Sequence, residues 1–344
     1  MEIQTNAPEE WRHHTLDHPS LLTTQRGTRI GSVGEWEARR AALMEAWHHY
    51  LGESPIAQLP LDPEVQREDD LGTCMGSLVY LQMEPGYREQ CYLLVPKERG
   101  QKRLPAVVVF YYDVDVPAGH DLGSSRWKPG LETRHFARHL AERGYVTLVQ
   151  RWVHEGYVEL LGTGGSGLQR RYSPSVELFR RRFPAWKGLG RVIWDASRCV
   201  DYLISTDLVD PARIGCMGHS LGGKMALYAG AFDTRYQVVV SSEPGIGLSF
   251  SNWDAPWYLG PEIREPGFHL DHHQLLAFVA PRAFLLVAGE SADGDRSWPY
   301  LNGAQGVYSL YGAADRIGMV NHRSGHSPTA EANEAAYGWF DSWL

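Results

Sequence analysis

One stretch of the chain combines a candidate nucleophile with the backbone geometry that would expose it. Residues 218–222 read Gly-His-Ser-Leu-Gly and match the pattern G-x-S-x-G. An apolar run typical of a buried strand, residues 214–217, precedes the pattern, and helix-forming residues 224–231 follow it. A serine on a tight strand-to-helix turn stands clear of its surroundings, and flanking glycines avoid collisions with the neighbouring strand and helix. We therefore predict that Ser220 is a catalytic nucleophile.

A serine hydroxyl needs an imidazole to take its proton and a carboxylate to orient and stabilise that imidazole. His326 lies in a Gly-His-Ser loop after the last predicted strand, and we predict it as the general base. For the acid, Asp293 and Asp295 follow one predicted strand, and Glu243 follows the strand before it. We favour Asp293 and keep Asp295 and Glu243 as alternatives. Other histidines compete less well for the role of base: His269, His272, His273 and His322.

Acyl transfer also requires donors for the negative oxygen that forms on the substrate carbonyl. We expect these donors to be the N–H of Leu221 and an amide from the loop that follows the apolar run 105–112, represented by Tyr112.

We also place His219, beside the nucleophile, among the residues that contact substrate. Trp253, with neighbouring aromatic residues, suits a sugar or aryl ring, although these rings pack into protein cores at least as often.

The elements that must position these residues alternate between apolar runs and amphipathic helices. This alternation predicts an α/β fold with right-handed crossovers and a mostly parallel, doubly wound sheet. We interpret residues 1–70 as a helical N-terminal extension packed on the core and residues 71–344 as the catalytic domain. Two irregular segments, residues 151–187 and 248–271, are predicted to be insertions that cover or line the site.

The first of these insertions is rich in glycine and arginine. Its run Gly-Thr-Gly-Gly-Ser-Gly at residues 162–167 lacks the G-K-[ST] ending of a phosphate-binding loop, so we predict no nucleotide site there. Its arginines are expected to form a solvated face. The alternative is that one of them, such as Arg180, holds an anionic group of the substrate.

Composition narrows the class of protein. The chain has 344 residues and a formal net charge of −8, which argues against a nucleic-acid surface. Its 4 cysteines have no C-x-x-C spacing and are expected to be buried free thiols. The N-terminal residues have no signal-peptide pattern and no run reaches membrane-span length, so we expect a cytoplasmic protein without membrane attachment. We predict no metal site and no cofactor, and we leave the oligomeric state open.

Beyond these patterns, residues from about 75 to 344 resemble the dienelactone-hydrolase and acetyl-xylan-esterase branch of the α/β-hydrolases. The stretch 218–253 is also similar to the glucuronoyl esterases, whose nucleophile motif reads G-C-S-R-x-G-K. Here the motif is Gly-His-Ser-Leu-Gly-Gly-Lys, and Lys224 matches its lysine. Further counterparts in that family are residues 229–232, 243–247, 271–273 and 280–282.

The resemblance implies an α/β-hydrolase fold and a role for two more residues. In some glucuronoyl esterases the glutamate that matches Glu243 is the triad acid, and the lysine that matches Lys224 contacts a sugar hydroxyl. The chain departs from that family at Leu221, where the family has an arginine that helps to hold the oxyanion.

These observations support three functional hypotheses. The leading one is a serine carboxylic-ester hydrolase that forms an acyl-enzyme, with a small or carbohydrate-linked ester as its substrate. The same machinery could act on peptides or amides, as in prolyl-oligopeptidase-like enzymes. A protein of this fold could also bind a ligand without turning it over, although such proteins typically lose one member of the triad.

Overall fold

The chain folds around a central sheet, seen here in a computed structural model that describes residues 1–24, 26–56, 59–98, 100 and 102–344. Within these residues the sheet has nine strands: Glu64–Asp70 (β1), Cys74–Glu84 (β2), Tyr87–Pro96 (β3), Leu104–Tyr111 (β4), Val146–Arg151 (β7), Val209–His219 (β8), Tyr236–Ser242 (β9), Ala283–Ala288 (β10) and Ile317–Asn321 (β11). Their order across the sheet is β1-β2-β3-β7-β4-β8-β9-β10-β11. The strands from β7 to β11 in this order pair in parallel, and β1, β2, β3 and β7 pair in an antiparallel manner.

Helices connect the strands and cover both faces of the sheet. A separate two-stranded ribbon pairs His120–Asp121 (β5) with Arg126–Trp127 (β6). The α-helices are Val33–Leu51 (α1), Asp115–Ala118 (α2), Phe136–Glu142 (α3), Val153–Leu160 (α4), Leu168–Arg182 (α5), Gly188–Ser205 (α6), Leu221–Phe232 (α7), His272–Val279 (α8), Trp298–Leu310 (α9) and Ala330–Trp343 (α10). This architecture confirms the predicted α/β class and the mostly parallel sheet.

The central strands are apolar along their whole length because both of their faces are buried. Along β4, Val107 and Val109 pack into a cluster with residues of α3 and α10. Val108 and Phe110, which point to the opposite face, join a larger cluster with residues of α6, α7, α8 and α9. The two clusters hold the carboxyl ends of β4, β8, β9 and β10 side by side, where the candidate site residues lie.

The N-terminal segment is only partly the helical extension that the sequence predicted. Helix α1 is present and begins with a capping box between Ser32 and Glu35. Its buried Trp47 donates a 2.8 Å hydrogen bond to Gln274 of α8, which attaches the helix to the core. Strand β1, however, lies before residue 71 and pairs with β2, so the predicted boundary at residue 70 is wrong. The sequence of this edge strand, Glu-Val-Gln-Arg-Glu-Asp-Asp, is polar and mostly exposed. A search for apolar runs therefore does not detect it.

The first insertion, residues 151–187, forms helices α4 and α5. Buried Glu84 of β2 accepts hydrogen bonds from Arg182 of α5, from Arg191 of α6 and from the Tyr157 hydroxyl of α4. A second buried carboxylate, Glu89, accepts a 2.7 Å hydrogen bond from Arg151. These contacts attach the insertion to the β2–β3 hairpin.

The insertion arginines are mostly exposed, as predicted, but some of them also form ion pairs. Arg182 pairs with a buried carboxylate of the fold, and Arg171 pairs with Glu155 of α4. Arg180 is exposed, as the solvated-face hypothesis expects.

Candidate active site

The turn between β8 and α7 presents Ser220 in a conformation that few non-glycine residues adopt. Its φ is 57° and its ψ is −113°. Its backbone N–H donates a 2.8 Å hydrogen bond to the carbonyl of Ser242 at the end of β9. Backbone strain of this kind persists where surrounding contacts enforce it, and it is concentrated at functional sites. The turn thus holds the Ser220 side chain above the carboxyl edge of the sheet.

The glycines of the motif are required by close backbone packing. A Cβ at Gly218 would lie 2.3 Å from backbone atoms of Gly222. A Cβ at Gly222 would lie 1.9 Å from the carbonyl oxygen of Phe110 on β4. Because these neighbours are backbone atoms of central elements, they cannot move aside for a side chain. The first helical turn of α7 is therefore in direct contact with β4.

Ser220, His326 and Glu243 form a continuous hydrogen-bonded chain. The Nε2 atom of His326 lies 2.9 Å from the Ser220 Oγ, and its Nδ1 lies 3.1 Å from Oε2 of Glu243. An ionised carboxylate can only accept hydrogen bonds, so the hydrogen of the neutral ring is on Nδ1 and Nε2 faces Ser220 as an acceptor. The imidazole side chain is 42% exposed and the carboxylate side chain 0%, so the base faces the open site while the acid is shielded.

Glu243 is held in place by backbone donors from the loop after β10. Its Oε1 accepts a hydrogen bond of 2.5 Å from Gly289, and its Oε2 accepts one of 2.7 Å from Ala292. Gly289 in turn accepts, through its carbonyl, a 2.7 Å hydrogen bond from the N–H of Gly325, next to His326. The carboxylate and the histidine loop are thus fixed to the same strand end. Glu243 itself has a positive φ of 48°, a second strained residue in the site.

The preference for Asp293 as the triad acid is wrong, because Asp293 does not contact His326. Its carboxylate accepts hydrogen bonds of 2.6 Å and 2.7 Å from the N–H groups of Gly245 and Ile246. Complete burial raises the pKa of Asp293 to about 6 despite these bonds. Asp295, the other aspartate alternative, pairs with Arg323 at 2.7 Å and is also not in contact with His326. Glu243, the other alternative, is the carboxylate that contacts His326.

A cavity of about 460 Å³ opens at Ser220. His326 and Glu243 lie on its floor with the nucleophile. The opposite walls come from the two insertions: Leu168 and Tyr172 from α5, and Phe250, Asn252, Trp257 and Tyr258 from the second insertion. Trp257 and Tyr258 are among the aromatic neighbours of Trp253 that were expected to suit a ring, whereas Leu168 and Tyr172 were not predicted. The helical spacing of Tyr172, Val176 and Phe179, which are all buried, was the available signal for an inward-facing side of α5.

Lys224 lines the cavity, as the resemblance to glucuronoyl esterases implied. Its ammonium group donates a 2.5 Å hydrogen bond to the Pro244 carbonyl and lies 3.7 Å from the centre of the Trp253 ring. Burial lowers the pKa of Lys224 to about 7. Trp253 itself is fully buried behind the lysine and does not line the cavity. The prediction that Trp253 contacts substrate directly is wrong; the ring supports Lys224 instead.

His219 is likewise behind the site and not in it. Its side chain is buried, its Nδ1 lies 3.0 Å from the Ser242 hydroxyl, and its ring centre lies 4.7 Å from that of His326. Burial lowers the pKa of His219 well below its ordinary value, so the ring that packs against the base is neutral. The prediction that it contacts substrate is also wrong.

Both predicted contributors to the oxyanion hole, Leu221 and Tyr112, line the cavity beside Ser220. Leu221 is the first residue of α7, and the first N–H groups of a helix have no acceptor within it.

In the part of the chain that the structure describes, no arginine lines this cavity and no cluster of metal-ligating side chains is present. No helix in the same residues is long and apolar enough to cross a membrane.

The comparisons with known proteins agree with this geometry. The family model described as "Glucuronyl esterase, fungi" matches residues 185–256, a stretch that contains Ser220, Lys224 and Glu243. YtaP of Bacillus subtilis, which is named as a hydrolase, is 26% identical and is matched over 89% of this chain and 100% of its own length. A 4-O-methyl-glucuronoyl methylesterase of Schizophyllum commune is 28% identical, with 90% of this chain and 77% of that protein covered. Other curated methylesterases of this kind are matched over only 31% and 33% of their length.

A solved glucuronoyl esterase from Solibacter usitatus superposes with a TM-score of 0.74 over 97% of this chain and 99% of that chain, at 19% identity. The chain has the α/β-hydrolase fold. The resemblance to glucuronoyl esterases predicted from the nucleophile motif is confirmed by the family model and by the relatives. Leu221 occupies the position in this chain where that family has the arginine that follows the nucleophile.

The packing of the nucleophile turn leads to a first prediction. Gly222→Ala should lower the melting temperature strongly and abolish activity, because its Cβ would collide with the Phe110 carbonyl. Gly338→Ala is the matched control, since a Cβ there meets nothing within 4 Å and the residue lies inside α10. We expect that control to be stabilising by about 0.5–1 kcal/mol. Thermal unfolding of both variants measures the difference, and a mild effect of Gly222→Ala would contradict the close packing.

The two buried carboxylates lead to a second prediction, tested by the isosteric pair Glu243→Gln and Asp293→Asn. Glu243→Gln should lower kcat by about 10³- to 10⁴-fold, because an amide beside Nδ1 favours the wrong histidine tautomer. Asp293→Asn should reduce the melting temperature, because one backbone N–H loses its acceptor, and should leave most of kcat intact. Steady-state kinetics and thermal unfolding of both variants provide the measurement. A larger loss of kcat in Asp293→Asn would restore the aspartate as the triad acid.

Proposed function

We propose that this protein is a serine carboxylic-ester hydrolase that acts on a carbohydrate-linked ester through an acyl-enzyme. The observation that carries the proposal is the hydrogen-bonded chain Ser220–His326–Glu243 at the floor of an open cavity. A shielded carboxylate, an imidazole and a hydroxyl in this order are the parts that general-base activation of a serine requires.

The chemistry follows from the geometry. As the Ser220 Oγ attacks the ester carbonyl, Nε2 of His326 takes its proton, and Glu243 stabilises the charged imidazole through Nδ1. The tetrahedral intermediate collapses with cleavage of the bond to the alcohol, which leaves with the proton from His326. Water then enters, gives a proton to the same Nε2 and hydrolyses the acyl-enzyme, so that the carboxylic acid is released and Ser220 is regenerated.

The cavity and the relatives together support a sugar ester as substrate. Several of the relatives are named as glucuronoyl methylesterases, and the aromatic walls of the cavity (Tyr172, Trp257, Tyr258) suit the apolar face of a sugar ring. Lys224 offers a donor to a sugar hydroxyl. An esterified uronate carries no charge on its acyl group, so it requires no arginine in the cavity. We therefore propose a uronate ester, with an acetylated sugar as the other candidate.

The remaining hypotheses from the sequence are less well supported. A protein that only binds its ligand would not need the serine, histidine and glutamate to keep hydrogen-bonding geometry. YtaP is named only as a hydrolase, but the other relatives reported above are named as esterases, which favours ester over peptide substrates. The cytoplasmic location stays a prediction.

The proposed function is tested by hydrolysis of methyl glucuronate, compared with an acetylated xylose, with Ser220→Ala as the blank. We expect preferential hydrolysis of the uronate ester and a loss of about 10⁴-fold or more in Ser220→Ala, because the triad acts as a unit. A fluorophosphonate should add once, at Ser220, in the folded protein. Preference for the acetyl ester would move the substrate to the second candidate. Absence of the adduct, or full activity in Ser220→Ala, would contradict the serine mechanism.

Lys224 provides a prediction about specificity. Lys224→Met keeps an apolar stem over Trp253 and removes the donor, so kcat/KM for the sugar ester should fall by about 10-fold or more, the value of a lost hydrogen bond to a charged group. Hydrolysis of p-nitrophenyl acetate, which has no sugar hydroxyl, should change by less than about 3-fold. Equal losses on both esters would show that the lysine supports the site and does not contact the sugar.

A further inference from the structure

The negative oxygen of the tetrahedral intermediate needs a second hydrogen-bond donor in addition to the Leu221 N–H. Oxyanion stabilisation in acyl transfer usually requires two donors aimed at one point. The Leu221 N–H, at the start of α7, supplies the first. The Leu221 side chain is buried and apolar and cannot supply the second. The second donor must therefore come from another element that faces Ser220.

Tyr112 is the residue that faces Ser220 from the neighbouring strand. It follows β4 directly and lines the same cavity as Ser220, Leu221 and His326. The neighbouring Ser220 hydroxyl acts to lower the pKa of Tyr112, so the two side-chain oxygens lie close together. A substrate carbonyl carbon bound to the Ser220 Oγ would place its oxygen next to this phenol.

The ring of Tyr112 is held by two edge-to-face aromatic contacts. Its centre lies 5.5 Å from that of Tyr111 and 6.3 Å from that of Trp152. Trp152 is itself buried and packs at 4.9 Å against Tyr172 of the first insertion. A donor fixed in this way needs little reorganisation when charge develops on the substrate, which is the condition for effective electrostatic stabilisation.

Burial also keeps this phenol in its donor form. Partial exclusion from water raises the pKa of Tyr112 above its ordinary value, and the smaller opposing effect of the Ser220 hydroxyl does not reverse this. The phenol is therefore protonated at neutral pH. It can donate a hydrogen bond to an oxyanion without first taking up a proton.

We infer that the side-chain hydroxyl of Tyr112, and not only a backbone amide of its loop, completes the oxyanion hole with the Leu221 N–H. The inference rests on the proposed serine-esterase function. Tyr112 would donate a hydrogen bond from its hydroxyl to the carbonyl oxygen of the substrate as the Ser220 oxygen attacks. No bond is formed or broken at the phenol.

The test is Tyr112→Phe, which removes the hydroxyl and keeps the ring, its packing and the backbone amide. We expect kcat for p-nitrophenyl acetate to fall about 10²- to 10³-fold, as for the loss of one oxyanion donor, with KM within about 2-fold. The inhibition constant of a trifluoromethyl ketone, which forms a tetrahedral oxyanion on Ser220, should rise by about the same factor as kcat falls. The melting temperature should stay close to that of the wild type.

Tyr145→Phe is the control for loss of a phenol hydroxyl elsewhere, because Tyr145 donates to Asp341 at the surface and lies outside the cavity. It should leave kcat and the inhibition constant unchanged. If Tyr112→Phe changes both by less than 2-fold while Ser220→Ala is inactive, the donor is an amide and the inference is overturned. A loss in Tyr112→Phe that appears only in KM and melting temperature would assign a packing role and overturn it as well. Activity that persists in Ser220→Ala would instead overturn the proposed function.

Discussion

The site depends on two buried carboxylates that hold each other's loops. Glu243, at the end of β9, accepts backbone N–H groups from the loop after β10. Asp293, in the loop after β10, accepts backbone N–H groups from the loop after β9. The loop after β9 is thus held by the carboxylate of Asp293, and the loop after β10 is held by the carboxylate of Glu243. Oε2 of Glu243 accepts the Ala292 N–H and also orients His326. Asp293 supports the loop that carries this carboxylate.

Backbone contacts also fix the position of the nucleophile Ser220. Glycines let β4, β8 and α7 approach each other without intervening side chains, and the strained Ser220 is bonded to the end of β9. Because Glu243 follows β9 immediately, the nucleophile and the acid are fixed to a single strand end. Small movements within the sheet would therefore shift both residues together, which preserves the geometry of the triad.

The fold and the identity of the nucleophile and base could be predicted from the sequence because both have local signals. The apolar runs define the parallel strands, and G-x-S-x-G and the late Gly-His-Ser loop mark two members of the triad. The acid has no such signal, since Glu243 and Asp293 both follow a buried strand and differ only in the loop that each one contacts. The roles of Trp253 and His219 were mispredicted for the same reason: proximity along the chain does not show whether a side chain points into the cavity or supports it. Strand β1 was missed because its side chains are polar.

The attachment of the first insertion has an evolutionary consequence. Helices α4 and α5 are joined to the β2–β3 hairpin through Glu84, and Arg151 at the start of the insertion is joined to it through Glu89. Both carboxylates are remote along the chain from the turn that carries Ser220. The exposed side of α5, including the exposed cavity residue Leu168, can therefore diverge without altering the contacts that create the strained nucleophile. Selection for a new ester substrate would change residues on α5, while the residues of the nucleophile turn stay the same. Directed evolution of the substrate range should therefore start with α5.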